Sequence, residues 1–403
     1  MPTARFVTAS VLFAAALGAQ SLTGRWDCTV TVNGTDIPFR MEFSAGGGTV
    51  KGNFFNGDER VPSTGGQLQE GSLRLNFDQY GSRLEATVSD GALVGRYVRD
   101  GRSYPFRAHR ASAPAPASAA SGVPNIEGLW EIPTKSSKGE SAWRLIVRQK
   151  GAEVSAAILR VDGDTGALTG EWRDGKLVLS HFSGARPNLL VITPAADGGL
   201  EIVQNGSTKL TALRPSSARA QGFGEPTDPF HHTGVKDPSA PLAVAFPDLD
   251  GRTVSLSDVR FRGKVVVLAI SGSWCPNCHD EAPFLEELYR RYRAQGLEVV
   301  ALSFEEADQL KTLARLRAFI KQYGIDYTVL VPGEPAQLAE KLPQAENLNS
   351  WPTTFFLGRD GRVREVHAGF AGRASGEFYT QTKREVTNLV ESLLAESSSA
   401  AAR

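Results

Sequence analysis

Ser273-Trp274-Cys275-Pro276-Asn277-Cys278-His279-Asp280-Glu281 places two cysteines three residues apart, just after an apolar run and just before a helical pattern. The run Lys264-Val265-Val266-Val267-Leu268-Ala269-Ile270 is short, unbroken and rich in β-branched side chains. It reads as a strand buried on both faces. Beyond the cysteines, Phe284, Leu285, Leu288 and Tyr292 recur at helical spacing with charged residues between them. The pair therefore sits on a strand–turn–helix junction. A thiol at a helix start meets the unpaired N–H groups and the positive end of the macrodipole, both of which favour thiolate. Cys275 takes that place, and Cys278 lies one turn in, facing inward. Pro276 suits the first turn, where its missing N–H costs nothing. Two such sulfurs form a reversible two-electron redox centre from protein atoms alone.

The elements that follow extend the same pattern. Residues 297–303 read as a second buried strand, 310–323 as a helix with basic residues on its wet side, and 327–331 as a short strand. Ser350-Trp351-Pro352-Thr353-Thr354-Phe355-Phe356-Leu357 is a strand opened by a proline. Gly358-Arg359-Asp360-Gly361 is a hairpin turn, and 363–367 is the returning strand. Residues 377–396 carry Val386, Leu389, Val390, Leu393 and Leu394 at helical spacing and close the domain.

With these elements in order, residues 242–396 resemble the thioredoxin fold, in the TlpA/ResA-like branch of bacterial thiol–disulfide oxidoreductases. The marks are the entry hairpin at 246–258, Gly263-Lys264 before the first central strand, Trp274-Cys275-Pro276-Asn277-Cys278 as W-C-x-x-C, Glu281, Pro283 as a helix-kinking proline, and Trp351-Pro352-Thr353 as a cis-proline loop. The resemblance covers roughly two fifths of the chain, and it is the ordered combination that is specific. It implies Cys275 as the attacking thiolate, Cys278 as the resolving thiol, Glu281 as proton acceptor or pKa modulator, and a cis bond at Pro352. Trp274, Trp351 and Thr353 are implied as the substrate-binding surround. The chain departs from reducing members of the branch by carrying proline first and Asn277 second between the cysteines. Ser271 and Gly272 also stand where many relatives have bulkier apolar residues, and Trp351 is larger than the usual residue before the cis-proline.

Other readings compete. Cys275-Pro276-Asn277-Cys278-His279 also spells the haem-attachment pattern. Trp274, the buried strand and the Trp351-Pro352 loop argue against it, and Met1 and Met41 are the only methionines. A peroxiredoxin-like (AhpC/TSA) thiol antioxidant stays as an alternative, although Gly272 stands where that chemistry calls for Ser or Thr. A metal site lacks ligands beyond Cys275, Cys278 and His279. An inert disulfide would close almost no loop. Glu281 is either a solvated helix residue or part of the redox centre. His279 reads as a surface neighbour, His231 and His232 as a chance pair in a connector, and His367 as a hairpin residue.

The chain begins with Arg5 ahead of an apolar core at 7–17, then Ala16, Gly18 and Ala19, a signal-peptide pattern too short for a comfortable span. The expected location is periplasmic or secreted, with an uncleaved membrane anchor as the alternative. Cys28, the odd one of three cysteines, reads as a buried free thiol. Formal net charge is zero, from 44 basic and 44 acidic residues. That removes any polyelectrolyte drive toward nucleic acid or anionic membrane.

Ahead of the redox domain the sequence repeats. Leu22-Thr23-Gly24-Arg25-Trp26 matches Ile126-Glu127-Gly128-Leu129-Trp130 at an offset of 104 residues. Gly71-Ser72-Leu73-Arg74-Leu75 matches Gly175-Lys176-Leu177-Val178-Leu179 at the same offset, as do Gly66 with Gly170 and Arg110 with Arg214. Short alternating runs such as 29–32, 40–43, 84–88 and 93–97, broken by Gly, Asn and Asp, predict antiparallel strands with one wet face.

The chain is thus read as multidomain: two tandem all-β repeats, barrel or sandwich and lipocalin-like, followed by an α/β thioredoxin-like domain. The expected parts are a signal peptide at 1–19, β repeats at 20–112 and 125–215, linkers at 113–124 and 216–241, the thioredoxin-like domain at 242–396, and a disordered tail at 397–403. The expected function is extracytoplasmic thiol–disulfide exchange, reducing protein disulfides rather than forming them, with no bound cofactor. By resemblance the electron donor is a membrane thiol carrier. A second class of reading makes the β repeats the main actors, binding a protein, glycan or small ligand.

Overall fold

The computed structural model describes residues 22–46, 49–111 and 123–396. The signal peptide, most of the 113–124 linker and the 397–403 tail expected from the sequence lie outside these residues. The fold is two antiparallel β sheets followed by a thioredoxin-like domain.

The first sheet has nine strands, from Gly24–Val32 to Arg102–Arg110. Each strand pairs with the next, except between the fourth and fifth, and the first also pairs with the ninth. It is a near-barrel with one seam. Its inward side chains, including Trp26, Val30, Met41, Phe43, Phe54, Leu75 and Tyr97, are buried at alternate strand positions, as period-two patterning requires.

The second sheet repeats the first strand for strand. Thr49–Asn56 corresponds to Glu153–Arg160, and Ser72–Phe77 to Lys176–His181, both shifted by 104 residues. The recurrent Gly-x-Trp and the distant arginine now have a shared physical basis. Arg110 lies over the Trp26 ring at 5.3 Å, and Arg214 over the Trp130 ring at 3.7 Å. Gly24 (φ +124°) and Gly128 (φ +109°) adopt backbone angles that side chains rarely take, and each leaves room for its arginine.

Two compact units emerge. One comprises residues up to 126 with 148–155 and 167–210; the other comprises 127–147, 156–166 and everything from 211 onward. The second unit thus joins part of the second β repeat to the thioredoxin-like domain. Arg144 on the Ala142–Lys150 strand lies 5.2 Å over the ring of Phe378 on the last helix. Residues 216–241, expected as an extended linker, are ordered. They follow the start of a short helix, Pro215–Ala220, and hold a turn at Pro229–His231 and a strand, Gly234–Val235, paired with Ala345–Glu346. Phe230 packs edge-on to His367 at 4.7 Å. Proline content suggested extension, but apolar contacts on the domain pin the segment.

In the thioredoxin-like domain the strand order is Thr328–Leu330, Leu297–Ser303, Val265–Ser271, Thr353–Leu357, Val363–Ala368. The first three run parallel, and the last two join antiparallel. Along the central strand, Val265, Val267 and Ala269 enter one core with Phe284, Leu285, Leu288, Val386 and Val390 from the helices Pro276–Tyr292 and Glu377–Ala395. Val266, Leu268 and Ile270 enter the other, with Leu242, Val254, Phe261 and Leu342. Both faces are covered, which is why the run carries no polar alternation. The strand therefore ends at one defined edge and delivers residues 272–276 to the helix start.

Candidate active site

Cys275 is the N-cap of the helix Pro276–Tyr292, with Pro276 opening it and Pro283 inside it. The Cys275 carbonyl accepts hydrogen bonds from the N–H groups of Cys278 (3.1 Å) and His279 (3.3 Å), the first bonds of the helix. That winding sets Cys278 one turn beneath Cys275. Both cysteines are free thiols, 3% and 1% exposed. The Cys275 thiol donates to the Trp351 carbonyl at 3.6 Å, and the Trp351–Pro352 peptide bond is cis. The structure thus brings Cys275, Cys278, Trp351 and Pro352 to one place. Burial pushes the Cys278 thiol well above its usual range, and its hydrogen bond and charge coupling to Cys275 push it further.

Glu281 belongs to the same group. It is 4% exposed, not solvated, and its Oε1 accepts a hydrogen bond from the Thr354 hydroxyl at 2.7 Å. Burial pushes its carboxyl up to about 8, against a smaller downward pull from Thr354. Its charge in turn raises the Cys278 thiol.

Trp274 and Trp351 form one aromatic wall, ring centroids 5.2 Å apart, with Phe304 packed on Trp351 at 5.6 Å. The Trp274 indole N–H donates to the Phe304 carbonyl at 3.0 Å. Gly272 makes that possible, because a Cβ there would overlap the indole nitrogen and stand 2.8 Å from the Phe304 oxygen. Thr353 is fully buried, and its hydroxyl donates to the Ser350 carbonyl at 2.8 Å, so it presents no side-chain surface.

A buried charge cluster that sequence reasoning missed braces the loop before the motif. The Glu305 carboxylate accepts from the Ser273 N–H (2.9 Å) and hydroxyl (2.6 Å), from the Ser303 hydroxyl (2.7 Å) and from Arg315 (3.0 Å). Arg315 also donates to the Ser273 oxygen at 2.8 Å and pairs with Glu306. Arg315 lies on the helix Ala314–Tyr323, whose basic residues were expected on its wet side; it is instead buried, because the cluster satisfies its guanidinium. The one available signal was an acid two residues past the end of a buried strand. His279, expected at the surface, is buried too, bridging the Tyr323 hydroxyl and the Ser273 carbonyl at 2.9 Å each. His232 is buried against Asn349, and His367 is buried on its strand. Among the described residues, no three His, Cys, Asp or Glu side chains gather as metal ligands.

Residues 236–366 match the model of the AhpC/TSA family. Thiol-disulfide oxidoreductase ResA of a Bacillus cereus strain is 31% identical over 134 residues, 33% of this chain and 70% of that protein. The chain belongs to the ResA family of thiol-disulfide oxidoreductases. ResA of Bacillus thuringiensis (strain Al Hakam) is 32% identical over 122 residues, 30% of this chain, and the chain spans 64% of that relative's length. Among solved structures, a putative thiol:disulfide interchange protein DsbE from Chlorobium tepidum aligns at 25% identity and TM-score 0.29, over 38% of this chain and 97% of its own. Family membership rests on the C-terminal part; the β sheets lie outside the matched residues.

Proposed function

We propose that the protein catalyses thiol–disulfide exchange outside the cytoplasm, passing two electrons to protein disulfides. Cys275, as thiolate, attacks one sulfur of the substrate disulfide; a mixed disulfide forms and one substrate thiolate leaves. Cys278 then loses its proton and attacks Cys275. The Cys275–Cys278 disulfide forms, and the second substrate thiolate leaves and takes up a proton. The observation that carries this reading is the stacking of Cys275 at the helix N-cap over buried Cys278 and Glu281, opposite the Trp351 carbonyl.

Cys278 is hard to ionise where it sits, so the second attack needs a proton acceptor. Glu281, with its carboxyl raised to about 8, is matched to that task near neutral pH. Pro352 and Trp351 present backbone to the substrate segment next to Cys275, and Trp274 with Trp351 forms an apolar rim. The signal-like leader supports export, and a membrane thiol carrier fits as the source of electrons. Among the described residues, no helix is long and apolar enough to cross a membrane.

The test is reduction of a protein disulfide by the full chain, with Cys275→Ser and Cys278→Ser as controls. Cys275→Ser abolishes exchange, and Cys278→Ser accumulates the mixed disulfide. A reduction potential of the pair near that of thioredoxin supports the reducing direction; one near the oxidising extreme of such centres reverses it.

A further inference from the structure

The second β repeat reaches the rim of the redox site within the unit it shares with the thioredoxin-like domain. The amide of Asn277, between the two cysteines, donates to the Asp162 carbonyl at 2.7 Å. Gly163 forms a parallel bridge with Phe370, just past the last strand of the redox sheet. Gly163 has φ +127°, and a Cβ there would stand 2.6 Å from the Phe370 oxygen and 2.7 Å from the Asn277 side chain. Facing it, a Cβ on Gly369 would overlap the Val161 carbonyl oxygen. Two glycines on opposite sides of one contact permit a backbone approach that no other residue would.

The turn is also anchored from behind. Glu140 accepts from the Val161 N–H at 2.7 Å, and Lys138 pairs with Asp162. The Lys138 carbonyl accepts from the Asn349 amide at 3.5 Å, two residues before Trp351. The β repeat thus touches three sides of the redox site: the motif, the loop before Pro352 and the segment after the last strand.

The first repeat supplies an internal comparison. At the same offset its turn is Gly57-Asp58-Glu59-Arg60, all four exposed, whereas Gly163 and Asp164 are buried. The substitution of Glu59 by Gly163 between copies is what a docked turn needs. It also accounts for Asn277 where reducing relatives carry proline: proline has no amide to donate.

We infer that residues 161–164 are a specificity-determining wall of the redox site, narrowing entry to Cys275 so that an extended, unfolded segment bearing a disulfide enters and a bulky folded surface does not. This deepens the proposed function and rests on it. The β repeat then selects substrates by shape rather than binding a separate ligand.

The experiment compares large and small probes on the reduced full-length chain, as wild type, Gly163→Ala and Lys138→Ala. Gly163→Ala forces the turn away; Lys138→Ala releases Asp162 without adding an atom and serves if the first variant does not fold. Two ratios are read: Cys275 modification by a polyethylene-glycol maleimide against iodoacetamide, and reduction of a folded-protein disulfide against bis(2-hydroxyethyl) disulfide. Loss of about one hydrogen bond's worth of docking raises each large-to-small ratio about fivefold, with small-probe rates unchanged. Ratios equal to or below wild type overturn the wall. If the maleimide ratio rises while the wild type reduces neither disulfide, the wall stands and the proposed function fails.

Discussion

Glu281 accepts a hydrogen bond from Thr354 at 2.7 Å with both side chains buried, one helical turn beyond Cys278. A carboxyl in that position is held protonated at a pH where the unfolded chain has already released its proton. The consequence is a pH-dependent stability. The folded carboxyl sits at about 8 against an ordinary 4.5, so stability is fullest below the lower value and declines as pH rises toward the higher one. Glu281→Gln keeps an acceptor for Thr354 and removes the titration. We expect its stability in urea unfolding to lack that decline and to exceed wild type at pH 8 by on the order of 3–5 kcal/mol. Parallel stability curves for the two proteins across this range would rule the explanation out.

The Glu305–Arg315 pair predicts an asymmetric double-mutant result. Arg315→Met strands a buried carboxylate and should cost about 3–5 kcal/mol in denaturant unfolding. Adding Glu305→Gln removes the stranded charge and should recover much of that loss. A single variant as stable as wild type would mean that the pair does not brace the loop before Trp274.

Gly272 tests the packing of the aromatic wall. Gly272→Ala inserts a methyl into the Trp274–Phe304 contact and should cost about 1–3 kcal/mol. The indole N–H resonance of Trp274 should move as its hydrogen bond to the Phe304 carbonyl breaks. An unmoved resonance with unchanged stability contradicts this account.

Cys28 is buried in the first sheet, where burial pushes its thiol well above the usual range. It should resist alkylation in the native protein and react only after denaturation. Cys28→Ala should leave thiol exchange intact at a stability cost of about 1 kcal/mol. Loss of exchange in that variant would give Cys28 a redox role.

Some of this molecule is written in short stretches of chain. The junction at Cys275 is legible because a buried run, a C-x-x-C and a helical pattern are consecutive, and each forms by contacts within one element. The β repeat is legible because its 104-residue offset recurs in Trp26 and Trp130, and in Arg110 and Arg214, which stack as pairs. Periodicity reports the facing of side chains, so the alternation along Val265–Ser271 and its two cores follow from local order.

Polar groups behaved otherwise. Glu281, His279 and Arg315 read as ordinary wet-face residues, and all three are buried. Whether a charge is solvated depends on what packs over it, and their partners lie far along the chain. Thr354 is 73 residues from Glu281, and Asp162 is 115 residues from Asn277. Hydrophobic spacing places strands and helices, but it does not say which distant turn will close on the redox motif. That was settled by two glycines, Gly163 and Gly369, whose lack of a side chain becomes meaningful only when folding brings two backbones together.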